Sequence, residues 1–530
     1  MKNDGAAQAA HVASGCGIGD AGMTSVPESG AGAGAWADGV AGAAGEARAG
    51  GRLSLSRLIP VAVLAVAVCG GLALIEGRGS SAPTPTPNPG ASGSRPGSGG
   101  FVSADASASA LDVQAEEFVR LALILAQHEP AEVDAYFGPE TLRPAADAAR
   151  LPLPELSRRA HHLADALAGG LKGENDVRRA RLLAQARALM TVIDARATGA
   201  RVSFDEEARA IYGMSLEDAP APTTALAALD RALPGDGPLA ARFAAYRARF
   251  AVPPDRRRAL FAAALDGCRS RTLAHWTLPA DERFEVKWQI GAPGAWHRYE
   301  GRRHSTLTLN PGAVEFIDTA VDLACHEGYP GHHAQFLLAD GYVAGAAAAS
   351  PGVVGLAGAS TAMPIEDTIA LLRSPVSMLR EGAAQYAVDL AFPADERLRF
   401  ERDVLFPIAG FAAADAARYF EIRQLVRTLE PAIVPILRDY RDGRLSAPAA
   451  AARLEARALV SSPQALLHFV DDLGPYVLGY TVARDRVATH ITRASHATRT
   501  DPWTVLRALL APPDITVLRV QPSDTSSTTN

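Results

Sequence analysis

The run Cys325-His326-Glu327-Gly328-Tyr329-Pro330-Gly331-His332-His333 places three histidines and a glutamate within eight residues, in a 530-residue chain that holds 13 histidines. Imidazole and carboxylate groups are zinc ligands. A zinc hydrolase also needs an open coordination position for water and a nearby base. The H-E-x-x-H motif meets part of this need by setting two histidines one helical turn apart. Here the fourth position after His326 is Pro330, which cannot ligate.

Geometry sharpens the requirement. On a regular helix His332 lies about 9 Å along the axis from His326 and about 120° around it. His333 shares the face of His326 but lies about 10.5 Å away, too far to share one zinc. A site therefore requires a break in the helix. Pro330 and Gly331 are the residues able to make one, because proline lacks a backbone donor and glycine tolerates unusual dihedrals. Either His332 or His333 then stands as the second histidine ligand. Glu327, next to His326, is placed to act as the base. Cys325 reads as a small buried residue, since zinc chemistry already supplies the attacking water.

The elements that must hold these residues are mostly helices. Apolar spacing predicts helices over 111–129, 154–169, 175–198, 203–213, 222–234, 238–250 and 254–275. Residues 282–310 alternate as strands do (RFEVKWQIG, AWHRYEG, HSTLTLN), which predicts a small sheet beside the motif. A long helix is expected from about 312 to the late 330s, with Ile317, Val321 and Ala324 on its buried stripe. Further helices are expected over 363–391, 395–442, 447–459, 463–473, 476–494 and 501–510. The fold class is thus mainly α: a large multi-helix domain at 111–518 with a central cleft and a small β-sheet.

The flanks differ in texture. Residues 1–57 are largely Ala and Gly and predict disorder. Residues 58–75 (LIPVAVLAVAVCGGLALI) carry no charge and are long enough to span a membrane. Arg48, Arg52 and Arg57 precede them, which orients an external C-terminal domain. Either a single-pass anchor or a cleaved signal follows, and both export the chain. Residues 76–110 read as a Ser/Pro/Gly linker and 519–530 as a disordered tail. A net charge of -6, with no basic block in the main domain, argues against nucleic acid as a partner. Of four cysteines, only Cys268 and Cys325 fall in the main domain. In an exported chain they are available to pair, and spacing alone does not decide it.

The string HEGYPGHH resembles the His-Glu-x-x-Pro-Gly-His-His signature of the bacterial family known as domain of unknown function 885. That family is regarded as zinc-peptidase-like and distantly similar to thimet oligopeptidase and Taq carboxypeptidase, which carry His-Glu-Phe-Gly-His. Aligning the Gly-His pairs makes His332 the counterpart of the second ligand and leaves His333 supporting or alternative. Arg380-Glu381-Gly382-Ala383-Ala384-Gln385-Tyr386 resembles the family's Glu-Gly-Trp-Ala-x-Tyr helix, which implies Glu381 as the third ligand. Ala383 stands where the family usually has Trp. Pro463-Gln464-Ala465 and Tyr476-Val477-Leu478-Gly479 are similar to two further family elements, and Asp134-Ala135-Tyr136-Phe137-Gly138-Pro139 looks like a family-type turn. The resemblance covers roughly 280–485.

The implied chemistry is zinc-dependent hydrolysis of a peptide substrate. Glu327 is expected to relay the proton, and Tyr476, Tyr480 and His490 are candidate donors to the developing oxyanion. The strand ending at Asn310 is a candidate edge for an extended substrate. Arg302 and Arg303 are candidates to meet a substrate carboxylate. Two other readings stand beside this one: a related protein that binds a peptide or other ligand without cleaving it, and a structural envelope protein.

Overall fold

Helix formation follows the apolar spacing through the first half of the chain. The computed structural model describes residues 109–144, 150–169, 176–217, 222–291, 294–341, 344–345 and 363–519. Segments 1–57, 58–75, 76–110 and 519–530 lie outside these residues but for their inner ends. Among the described residues, no helix is long and apolar enough to cross a membrane.

Helix α1 (Ala110–His128) starts at Ser109, whose hydroxyl accepts from the Asp112 amide, and it buries Phe118, Leu121 and Leu125. It packs on α2 (Leu153–Ala168), which packs on α3 (Asp176–Thr198). A capping box between Ser203 and Glu206 opens α4 (Phe204–Tyr212). Then follow α5 (Thr223–Ala232), α6 (Leu239–Ala248) and α7 (Arg257–Leu273). These seven helices match the expected spans closely.

Between α1 and α2 lies strand β1 (Val133–Tyr136), and β2 (Trp276–Thr277) follows α7. The alternating region forms β3 (Arg283–Trp288), β4 (Ala295–Tyr299) and β5 (His304–Leu309), as expected. Their order is β3-β5-β4, with β3 parallel and β4 antiparallel to β5. Because β5 is the central strand, both of its edges are already paired. The expectation that the strand ending at Asn310 offers a free edge to a substrate is therefore corrected.

The long helix expected after 312 is three pieces. A 3-10 turn spans Pro311–Val314, α8 spans Ile317–Glu327, and α9 spans His332–Ala339. Downstream, β6 (Ala344–Gly345) pairs with β2, and β7 (Ile369–Leu371) pairs with β1. The helix expected over 363–391 begins only at Pro375, where Ser374 caps α10 (Pro375–Ala391). The span 395–442 divides into α11 (Ala394–Phe400), a π turn, α12 (Phe406–Ala409), α13 (Ala416–Arg427) and α14 (Ile433–Arg441). Helices α15 (Ala447–Ala458) and α16 (Pro463–Leu473) agree with expectation. Residues Gly474–Tyr480 form a 3-10 turn before α17 (Val482–Thr498), and α18 (Pro502–Leu510) follows.

One large apolar core joins most of these elements, and a smaller cluster packs α5 and α6 against α13 through Leu229, Phe243, Ile422 and Val426. Helix α8 sits inside the large core, packed against α7 and α10, and every residue from Ile317 to Glu327 is buried. Cys268 on α7 and Cys325 on α8 form a disulfide.

Candidate metal centre

A helix buried on all sides must satisfy each polar side chain it carries. On α8, Asp322 takes the Arg397 guanidinium at 2.6 Å. Asp318 accepts from the Tyr419 hydroxyl. At the C-terminal end the pattern stops. Neither ring nitrogen of His326 has a hydrogen-bond partner, and neither does Oε1 of Glu327.

The chain then turns through Gly328–Gly331, with a cis Tyr329–Pro330 peptide. The Gly331 amide donates to the Cys325 carbonyl at 3.0 Å, so the turn folds back on the last coil of α8. A Cβ on Gly331 would lie 1.8 Å from the His326 carbonyl oxygen. Only glycine permits this approach, and it brings His332, the first residue of α9, beside His326. The two imidazole centroids are 4.7 Å apart with planes at 89°. The break required at Pro330-Gly331 is present.

The third group comes from α10. Oε1 of Glu381 is 3.0 Å from Nε2 of His326, and its Oε2 is 3.5 Å from Nε2 of His332. The donor atoms of all three residues lie within 4.8 Å of one another. A tetrahedral zinc with ligands at about 2.0–2.1 Å sets its donor atoms roughly 3.3 Å apart. The 3.0 Å approach is close enough for a hydrogen bond but lacks the geometry of one, since His326 Nε2 and Glu381 Oε1 both remain without a hydrogen-bond partner. Two buried lone-pair donors facing each other in this way fit a shared cation.

Supporting groups fix the carboxylate. The Tyr476 hydroxyl donates to Oε2 of Glu381 at 2.9 Å and lies 3.3 Å from the Ser377 hydroxyl. A Cβ on Gly479 would come within 2.4 Å of Glu381 Cγ, so glycine there makes room for the ligand. The Tyr480 ring lies beside His326, centroids 6.3 Å apart and 25° from parallel, and is fully buried.

Charge balance in this pocket is tight. Burial pushes the Glu381 carboxyl up, but the His326 and His332 rings outweigh it and hold the group well below the usual carboxylate range. Burial disfavours the charged His332, yet Glu381, Glu327 and Asp134 together raise its pKa. Burial raises the pKa of Glu327, with His326 and His332 opposing. Burial and the neighbouring charge of Glu381 place the Tyr476 and Tyr480 phenols well above their ordinary value, so both stay protonated.

His333 stands apart. Its Nδ1 is 2.7 Å from the Ser305 hydroxyl and its Nε2 is 2.9 Å from Glu282 Oε2. Both nitrogens are engaged, which corrects the option of His333 as a metal ligand. The structure brings His326, Glu327, His332, Glu381 and Tyr476 together on one cleft of about 480 Å³. It does not bring His490 there, because His490 lines a separate cavity with Arg484, Arg486 and Arg493. Arg303 pairs with Asp281 at 2.7 Å. It and Arg302 form the turn between β4 and β5, outside the cleft lining.

Two cleft residues were not singled out from the sequence. His297 lies on the buried face of β4, with Nδ1 3.9 Å from Glu327 Oε2 and Nε2 without a partner. Burial and the neighbouring His332, His333 and His326 push its pKa well down, so it is neutral. The period-2 alternation of AWHRY already placed it inward, which was the available signal. Asp134 comes from β1. Its side chain is open to the cleft yet walled by protein on its other sides, and this desolvation, with Glu381 adding and His332 opposing, pushes its pKa up to about 6. The DAYFGP string held that residue, but its first half is strand β1 and not a turn, and nothing local marks Asp134 as facing the site.

The described residues thus define a mainly α-helical protein whose buried His326–His332–Glu381 group can hold a metal ion. Comparison with protein-family models, curated proteins and solved structures gives no match. The family resemblance therefore rests on the motif residues quoted above.

Proposed function

We propose that this protein is a zinc-dependent peptide hydrolase that works outside the cytoplasm. The observation that carries the reading is the convergence of partnerless buried donors on His326 and Glu381, with His332, beside a Glu327 carboxylate whose Oε1 has no hydrogen-bond partner, at a cleft. Two imidazoles and one carboxylate are a zinc-hydrolase donor set, leaving room for water. Bound there, zinc would supply Lewis acidity toward a carbonyl and acidify a water.

The chain's own groups do the rest. Glu327, with its pKa raised by burial, takes a proton from the attacking water and passes it to the leaving amine. Neutral His297 has an unused Nε2 and faces the same cleft, so it offers a donor to the developing oxyanion. Tyr476 acts through Glu381: its hydroxyl fixes the carboxylate rather than touching substrate. Val133, Ile369, Leu371, Phe336 and Trp296 line the cleft and exclude water from the reacting groups. An extended peptide finds its nearest strand in β4, whose Trp296 and His297 line this cleft. The Cys268–Cys325 disulfide supports an oxidising compartment, in keeping with residues 58–75 acting as an anchor or signal.

Two measurements test the reading together. The purified protein should bind one equivalent of zinc by elemental analysis, and His332→Ala should lose it. Glu327→Gln should retain zinc while peptide cleavage falls by about 10²–10⁴-fold. Cleavage that persists unchanged in Glu327→Gln would remove that residue as the base. A protein that takes up no zinc ends the hydrolase reading altogether.

A further inference from the structure

Arg380 is the residue the proposed mechanism leaves unused. It directly precedes Glu381 on α10 and lines the same cleft. Only 8% of the residue is exposed. A guanidinium so deeply placed normally has an acidic partner. Among the described residues, the Arg380 side chain makes no hydrogen bond and no ion pair within 4 Å; its guanidinium lies over the Phe336 ring, 5.6 Å from Cζ to centroid.

The nearby acids are largely occupied. Asp367 takes Arg181 at 3.0 Å, and Asp340 accepts from the Tyr299 hydroxyl. Asp134 faces Arg380 across the cleft without pairing to it. The result is a planar, fork-shaped cation held in a partly dry cleft with unspent donors. That geometry suits a carboxylate, which a guanidinium binds through two parallel hydrogen bonds.

Position narrows the ligand. The guanidinium lies beside the Phe336 ring, and Phe336 is four residues after His332 on α9, an offset of about 6 Å along that helix. That is roughly the span of one to two residues of extended peptide. Phe336, Ile369, Leu371 and Val376 give the cleft shared by Arg380 and His332 an apolar part of its wall.

We propose that Arg380 anchors the free α-carboxylate of a peptide whose last side chain is apolar, so that the cleft takes substrates by their C-terminus. The proposal rests on the hydrolase reading for the word substrate, but binding alone tests the anchor. The probe is acetyl-alanyl-phenylalanine, as the free acid and as the C-terminal amide, titrated calorimetrically into full-length zinc-loaded protein carrying Glu327→Gln. The acid is expected to bind at least about tenfold tighter than the amide, a preference that Arg380→Gln abolishes and Arg380→Lys restores in part. Equal binding of acid and amide overturns the anchor, as does a preference that survives Arg380→Gln.

Should Arg380→Gln fail to fold, Asp134→Asn reads the same field from the other side. Removing that carboxylate is expected to tighten the acid by about threefold and leave the amide unchanged. An unchanged acid affinity overturns the proposal. Turnover by the unmodified protein is scored separately. Acid-selective binding without cleavage keeps the anchor and sinks the hydrolase reading; cleavage indifferent to the C-terminal carboxylate does the reverse.

Discussion

Adjacent histidines with the same chemistry take opposite roles because of what surrounds each. His332 meets Glu381, while His333 is held between Ser305 and Glu282. Glu282 gathers Arg269 at 2.8 Å and the Tyr329 hydroxyl at 2.7 Å as well as His333. Burial pushes its carboxyl up, but these three partners outweigh that and bring it to about 2. A carboxylate whose folded pKa lies below its unfolded value stabilises the fold at pH above the unfolded value, and that stability fades as pH falls through the folded one. The contribution should therefore be full above about pH 4.5 and decline toward pH 2. Glu282→Gln is expected to cost on the order of 2–3 kcal/mol at pH 7, and the gap to wild type should shrink below pH 4 in urea melts. A pH-independent difference would show that the charge of Glu282 is not what matters. At this scale the sequence singled out His326 and, by resemblance, Glu381, and both belong to the group that can hold a metal. It did not separate His332 from His333, because the deciding partner of His333 lies 51 residues upstream.

At the scale of elements the candidate metal centre is a consequence of broken helices. Apolar spacing alone predicted one helix from 312 to the late 330s, on the stripe of Ile317, Val321 and Ala324, whereas α8 is buried on every side and ends at Glu327. The proline and glycines interrupt it, and their presence marked the place of the break before its shape was known. The other missed breaks share a cause. Ile369–Leu371 forms a strand because β1, far away in sequence, pairs with it. Local periodicity carries no information about such a partner. Gly331 is the sharpest test of the turn. In Gly331→Ala the new Cβ would overlap the backbone carbonyl of His326, which no side-chain rotation relieves. The turn must open and His332 must leave. Zinc affinity is expected to fall by at least about 100-fold, with a stability loss above about 3 kcal/mol. Competition titration against a zinc chelator measures the first and urea unfolding the second. Wild-type zinc affinity in Gly331→Ala would show that the turn does not position the ligand.

For the molecule as a whole, the cleft depends on parts that are distant along the chain. β1 and α3 contribute Asp134 and Gln185, the β-sheet His297 and Trp296, and α10 Glu381 and Arg380. The mainly α class and the sheet beside the motif were legible from periodicity. The assembly of these parts was not, because it is set by long-range packing. The disulfide is where this scale meets the site. It ties α7 to the residue directly before His326 and closes a loop of 57 residues. Constraining a loop of that length in the unfolded chain is worth about 4 kcal/mol in the chain-entropy account. The cross-link also fixes the last turn of α8, from which both His326 and Glu327 project. Cys268→Ala/Cys325→Ala should therefore unfold at lower urea by about 2–4 kcal/mol, and added zinc should recover part of the loss if, as proposed, the folded protein binds it. Wild-type protein treated with a reductant should behave like the double variant. If reductant leaves the wild-type unfolding curve unmoved, the two thiols are not joined in the folded protein. The oxidising compartment proposed for it then loses its structural support, and α8 must be held by packing alone.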